Sequence, residues 1–417
     1  MNPVPAALGK NSNSAMANSV ELLPIDGVRL AACSAGIYCA TRDDIALFAV
    51  EAGATVSAVF TRNRFYAAPV AVARKHLQHG PVNYLLVNAG NANAGTGARG
   101  IDDAIRVCEA MANRGGCALE AVLPFSTGVI GEYLPVDKIC RALPALHDNL
   151  ADNAWLDCAR AIMTTDTLPK SCSVRFAVDA GLVTVTGIAK GAGMIKPDMA
   201  TMLAFIATDA AVEQPALDCI LASAVDQSFN RICVDGDTST NDACVLVATG
   251  KSRAGPVISE GSPVYALLEE QVTEVCVRLA QQIVRDGEGA TKFVTIRVDN
   301  AQSEAECAAV ADAVATSPLV KTALYAADPN WGRILAAIGR SKVRDLEIDR
   351  ISVYLNEVCI VENGARAKGY TEAKGVAAMQ DKEIMIRIDL NKGSASGSYW
   401  TCDLSHDYVT INAEYRS

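Results

Sequence analysis

The sequence predicts an α+β fold, a layered sandwich of sheets and helices. Three observations carry that prediction. At 417 residues the chain exceeds the ~250–300 at which a single core stops growing, so two domains or two interlocked halves are expected. Half of the residues are hydrophobic and a fifth are charged, the composition of a globular protein with ample core. Strand-like and helix-like segments also follow one another without the regular β-α alternation of a doubly wound dinucleotide fold.

Residues 1–20, rich in Asn, Ser and Ala, read as a mobile leader, and 28–60 as short strands and turns. The apolar run 82–87 is a strand that ends in NAGNANAGTG. The Asn and Gly positions there suit positive φ, and the loop either simply turns or presents N–H groups to an anion. Helices are expected over 101–113, 135–150 and 151–165, the last with Trp155, Ala159 and Ile162 on one face. Strand character returns at 173–178, 182–188 and 202–208. Beyond it, 214–229 reads as helix, 244–248 as strand, and 263–284 as a long helix opened by Ser262-Pro263. Residues 293–298 alternate as a strand, and 303–327 are helical with a break near Pro318. Finally 353–361, 383–389, 399–404 and 408–412 read as strands between glycine-rich turns.

The same composition excludes several function classes. A formal charge of −10 without a basic stripe argues against nucleic acid and for small polar substrates. No stretch of ~18 apolar residues predicts a membrane span, and the first twenty residues lack an apolar signal core. Fourteen cysteines fall singly, without a Cys-x-x-Cys pair, which predicts buried free thiols in a reducing, cytoplasmic compartment. Of the four histidines, His76 and His79 lack the glutamate of a metalloprotease helix and read as a solvated turn, so no metal is expected. No Gly-x-Ser-x-Gly elbow is present for a serine triad.

Chemistry concentrates in residues 190–210, KGAGMIKPDMATMLAFIATDA. One reading is a Gly-Pro loop feeding a buried strand. A phosphate cradle on Gly191 and Gly193 is a second, weakened because no Gly-Lys-Ser/Thr follows. The third places a self-cleavage site at Ala200-Thr201. Thr201 at the head of a strand would attack the preceding carbonyl, and small Ala200 leaves room for the five-membered intermediate. The freed α-amino group, titrating at about 7.7–8.0, would then serve as base for the Thr201 hydroxyl. On this reading residues 21–200 form an α chain and 201–417 a β chain, interlocked in one core.

The run GMIKPDMATMLAF, with STGVIGEYLP at 126–135, DPNWGR at 328–333 and the terminal VTINAEYRS, resembles ornithine acetyltransferase, the glutamate N-acetyltransferase family of arginine biosynthesis. The likeness runs in the family's order from about residue 24 onward. It implies a four-layer α/β/β/α sandwich of the self-cleaving N-terminal-nucleophile type with the nucleophile on an inner strand, plus a smaller α/β domain. It further implies ping-pong transfer of acetyl from N2-acetyl-L-ornithine to L-glutamate through acetyl-Thr201, with no cofactor or metal. Some family members also take acetyl-CoA as donor, so both a mono- and a bifunctional enzyme stay open. Two copies of each fragment would form a heterotetramer.

Residue by residue, the oxyanion donors match Thr127 and Gly128, which the sequence alone reads as a turn. Lys190 suits a substrate carboxylate, and Glu288 in DGEGATK is the charge a bound ornithine would seek. The family's substrate contacts match Thr164, Lys190, Thr201, Glu288, Asn412 and the final Ser417; Thr165 rivals Thr164 by adjacency. Many members end in threonine where this chain has serine, which keeps hydroxyl and carboxylate. The segment 328–333 reads as a structural turn. An aminopeptidase or amidohydrolase of related fold, passing its acyl group to water, is the rival enzyme. A non-enzymatic amino-acid-binding or scaffold protein is the remaining alternative.

Overall fold

The computed structural model describes residues 22–38, 41–196, 202–252, 255 and 257–414. The expected leader 1–20, the junction Ala200-Thr201 and Ser417 lie outside the described residues. Two sheets form the centre. The first runs β1-β2-β4-β5, from β1 (Val28–Cys33), β2 (Ile45–Val50), β4 (Tyr84–Asn91) and β5 (Val122–Val129). The second runs β3-β10-β8-β7-β6, from β3 (Thr55–Phe60), β6 (Lys170–Val178), β7 (Gly181–Lys190), β8 (Leu203–Thr208) and β10 (Ala243–Ala248).

Strand β8 shows why the layers stack. All six of its residues are buried, because its period-two alternation serves two cores at once. Leu203, Phe205 and Ala207 face the first sheet, and Ala204 and Ile206 face helices on the other side. Phe205 lies 4.8 Å from Phe48 and 5.1 Å from Phe125 between ring centroids, joining the sheets; burying such a ring is worth roughly 1.5–3 kcal/mol. Trp155 of α4 (Trp155–Ala161) closes this inter-sheet core. Outside the first sheet lie α2 (Gly97–Gly115) and α3 (Val136–Asp148), while α1 (Ala68–His76) sits along its β5 edge, Val72 in the outer core and Val70 and Ala73 in the inter-sheet core. Outside the second lie α5 (Gln214–Gln227) and α6 (Tyr265–Arg285). The order is α/β/β/α, as expected. Strands β3, β6 and β7 precede residue 200 and β8 and β10 follow it, so one sheet draws on both sides of the expected cut.

A smaller α/β unit fills the C-terminal part. Its sheet runs β14-β13-β12-β15-β11-β16-β9, built from β9 (Ile232–Cys233), β11 (Phe293–Ala301), β12 (Ser352–Leu355), β13 (Val358–Glu362), β14 (Ala365–Arg366), β15 (Glu383–Asp389) and β16 (Ala395–Cys402). Helices α7 (Glu304–Ala315), α8 (Pro318–Tyr325), α9 (Trp331–Gly339) and α10 (Glu372–Ala378) accompany it, with a core of their own. The last helix is α11 (His406–Ala413).

Several local expectations are corrected. Residues 408–412 are helical: the Ser405 hydroxyl accepts the Tyr408 N–H at 3.3 Å and Asp407 sits in the first turn, and this cap outweighs the β-branched run. Residues 353–361 hold two strands that turn at Asn356, which has φ 49°. The helix expected over 151–165 is confined to α4, and α6 opens at Tyr265 without a cap from Ser262, whose buried hydroxyl has no partner. The segment 328–333 is the start of a helix, since Asn330 accepts the Arg333 N–H. His76 is buried on α1 with its ring nitrogen 2.8 Å from the Val122 carbonyl, so only His79 is solvated. Helices α1, α9 and α10 were not legible in the sequence.

Candidate active site

One cavity of about 280 Å³ gathers Thr127, Gly128, Thr164, Lys190, Glu288 and Asn412. Thr165 lines it too. These residues are far apart in the chain and converge because three structural devices meet there.

The first is the end of β5. Its parallel register places Gly128 beside Gly90 of β4. A Cβ on Gly128 would lie 2.3 Å from the Gly90 carbonyl carbon, and the residue has φ +129°, so only glycine fits. This brings Thr127 and the Gly128 backbone to the cavity wall. Asn241 locks the strand end by donating to the Ser126 carbonyl at 2.9 Å and the Ala92 carbonyl at 2.6 Å.

The second device is the end of β7. Lys190 Nζ donates to Thr164 Oγ1 at 2.9 Å and to Thr127 Oγ1 at 3.2 Å. An ammonium has three N–H groups, so among the described residues one is left for a ligand. Thr164, not Thr165, makes this contact. With its oxygen accepting from Lys190, the Thr127 hydroxyl keeps its proton to donate. Behind Lys190, Asp166 accepts from Gly191 N at 2.6 Å, Thr164 N at 2.9 Å and Lys170 Nζ at 2.5 Å. Lys170 also donates to Asp286 at 2.5 Å. Burial would push the Asp166 carboxyl up, but Lys190, Lys170 and the Thr164 amide outweigh it and hold it well below the usual carboxylate range. Burial lowers the Lys190 pKa, and Asp166 opposes that shift.

The third device is the loop after α6. Asp403 accepts the N–H groups of Thr291 and Lys292, each at 2.8 Å. Ser405 donates to the Gly289 carbonyl at 2.6 Å while capping α11. The helix is thereby seated beside Glu288, and Asn412 Nδ2 donates to Glu288 Oε2 at 2.8 Å. The Glu288 N–H meets the Ala192 carbonyl at 2.9 Å.

Two further carboxyls went unread in the sequence. Asp235 accepts the N–H groups of Met194 at 2.5 Å and Ile195 at 2.9 Å, fixing the chain just before residues 197–201, with Met194 at φ 54°. Asp242 is buried with Oδ2 unpartnered; burial pushes its carboxyl well above the ordinary range, against the pull of Ser239 and Lys190. For Asp242 the TSTND run was the available signal, an acid preceded by hydroxyl residues directly before a strand.

The cavity thus has a cationic end at Lys190, an anionic end at Glu288 and hydroxyl and amide donors beside the former. It suits a small molecule carrying both charges. No group of three or more metal-binding side chains occurs among the described residues, the described cysteines are all free thiols, and no single described helix is long and apolar enough to cross a membrane.

The ArgJ family model matches residues 29–417. The arginine biosynthesis bifunctional protein ArgJ of Methylococcus capsulatus is 54% identical over 400 residues, covering 96% of this chain and 98% of that protein. Its counterpart in Pseudomonas fluorescens is 53% identical over 396 residues, 95% of this chain and 98% of its own. Among solved structures, the ArgJ protein of Bacillus halodurans is 38% identical over 52% of this chain and 100% of that chain, with a TM-score of 0.49. A family match over nearly the whole length, together with relatives identical at more than half of their positions, shows that the chain belongs to the ArgJ family.

Proposed function

We propose that this protein is a self-cleaving acetyltransferase that moves acetyl from N2-acetyl-L-ornithine to L-glutamate, a step of arginine biosynthesis. The observation that carries the reading is the two-ended cavity, with Lys190 for the α-carboxylate and Glu288 for the side-chain ammonium of the diamino acid. The sheet register supports Thr201 as the nucleophile, because Lys190 pairs with Leu203, two residues beyond it. The relatives' names place them in arginine biosynthesis.

The Thr201 hydroxyl attacks the Ala200 carbonyl, the C–N bond breaks to leave an ester and a free amine, and water hydrolyses the ester. In transfer, Thr201 Oγ attacks the acetyl carbon, its proton passing through the α-amine to the departing nitrogen of ornithine. Thr127 and the Gly128 N–H stabilise the oxyanion of each tetrahedral species. Attack by the glutamate amine on the acetyl ester then restores the hydroxyl. No cofactor or metal takes part. The α and β chains assemble as two copies of each in the cytoplasm, and an assay with acetyl-CoA and glutamate separates the mono- from the bifunctional enzyme.

Denaturing electrophoresis is expected to show fragments 1–200 and 201–417, the second beginning Thr-Met-Leu. A single intact band from active enzyme refutes the mechanism. Thr201→Ala is expected to stay uncut and inactive. Mass spectrometry after incubation with N-acetyl-ornithine should find acetyl on the fragment starting at Thr201, and ornithine release should require glutamate. Release into water alone would favour the aminopeptidase-like hydrolase.

A further inference from the structure

The Glu288 carboxylate ends against Gly193. A Cβ at residue 193 would lie 2.4 Å from Glu288 Cδ and Oε2 and 2.5 Å from Oε1, where ordinary contact begins near 3.4 Å. The backbone does not demand glycine here: Gly193 lies outside the left-handed region, unlike Gly191 with φ +152°. The missing side chain therefore leaves space for the carboxylate. The far end of Glu288 can move away from an added side chain only by giving up the Asn412 Nδ2–Oε2 bond, because the Glu288 backbone is tied to the Ala192 carbonyl. Gly193 and Glu288 both line the cavity whose other end is Lys190.

We propose that Gly193 is a specificity-determining residue: by admitting the Glu288 carboxylate at this depth it sets the span to Lys190, and hence the chain length of the diamino acid accepted. The inference rests on the reading of Glu288 as partner of the side-chain ammonium. One methylene changes the reach of that ammonium by about one C–C bond, enough to break a hydrogen bond to a fixed carboxylate.

The test compares N2-acetyl derivatives of 2,4-diaminobutyrate, ornithine and lysine as donors with glutamate as acceptor. The wild type is expected to prefer the ornithine compound by about tenfold or more over each homologue. Gly193→Ala displaces the carboxylate and is expected to lower kcat/KM for N-acetyl-ornithine about tenfold or more, mainly through KM, and to change its ratio to the homologues. Glu288→Asp withdraws the carboxylate by one methylene and shifts preference toward the lysine compound. In that background Gly193→Ala has little left to strike, so the double variant is expected to lose less than the product of the two single losses. Unchanged ratios in Gly193→Ala, or equal losses on all three donors in both backgrounds, overturn the proposal. If Gly193→Ala fails to fold, Glu288→Asp decides alone: no shift toward the longer donor overturns it. Failure of the wild type to use any of these donors would instead overturn the acetyltransfer reading.

Discussion

The two ends of the cavity are mounted differently. Lys190 closes a central strand of a five-stranded sheet, and behind it Asp166, Lys170 and Asp286 alternate in charge within hydrogen-bond distance. The Asp166 and Lys170 side chains are essentially sealed from solvent. Glu288 stands in a loop and is held through Asn412 by α11, a helix with no buried residue and with Val409 and Ile411 exposed. The cationic end is therefore part of the fold's stability, whereas the anionic end can be altered at little cost to the rest. On the proposed reading, the α-carboxylate common to both substrates goes to the fixed end and the ammonium peculiar to the diamino acid to the adjustable one.

The harshest way to break this contrast is Asp166→Ala. It leaves Lys190 without its strongest counter-charge and opens a buried network, which costs about 3–5 kcal/mol. Denaturant unfolding of the variant is expected to show that loss at pH 7. The pH dependence has a definite sign. Because the folded carboxyl lies below the unfolded value of about 3.9, its stabilisation is complete above that value and is lost as pH falls through the folded one. The variant should lack this acid-side decline. A loss below about 1 kcal/mol would mean that the network is ornamental to stability.

Lys190→Met comes next and tests the shared-carboxylate role. Losing a charge-assisted hydrogen bond of about 1.5–3 kcal/mol predicts a fall of about 10- to 100-fold in kcat/KM. The fall should apply to N-acetyl-ornithine and to glutamate alike, with self-cleavage followed separately by electrophoresis. A defect confined to one substrate would separate Lys190 from the carboxylate.

Legibility followed the same division. The layers could be read because buried strands such as β8 carry continuous apolar runs, and every substrate-side residue expected from the resemblance that lies within the described residues reached one cavity. What stayed hidden depends on partners distant in sequence. Asp166 gains its role only once Lys170, Gly191 and Lys190 surround it. Gly193 reads as part of a Gly-Pro loop or of a weak phosphate cradle until Glu288, ninety-five positions later, is seen against it. Residues 408–412 read as a strand because period-two alternation in five residues cannot outvote a serine cap three positions upstream.

Asn412→Ala is the mildest break and the one that isolates the adjustable end. The alanine removes Nδ2, which donates to Glu288 Oε2 at 2.8 Å and to the Tyr408 carbonyl of its own helix at 3.0 Å, from an exposed position, so neither core packing nor the α11 cap changes. The carboxylate keeps its place against Gly193 but loses restraint, and a hydrogen bond to a charged group near solvent is worth about 0.5–1.5 kcal/mol here. KM for N-acetyl-ornithine is expected to rise about 2- to 10-fold with kcat nearly constant, the pattern of lost uniform binding. Glutamate, which has no side-chain ammonium for Glu288 to hold, should keep its KM. Equal increases for both substrates would show that Asn412 shapes the whole cavity, and the distinction between a fixed and an adjustable end would fail.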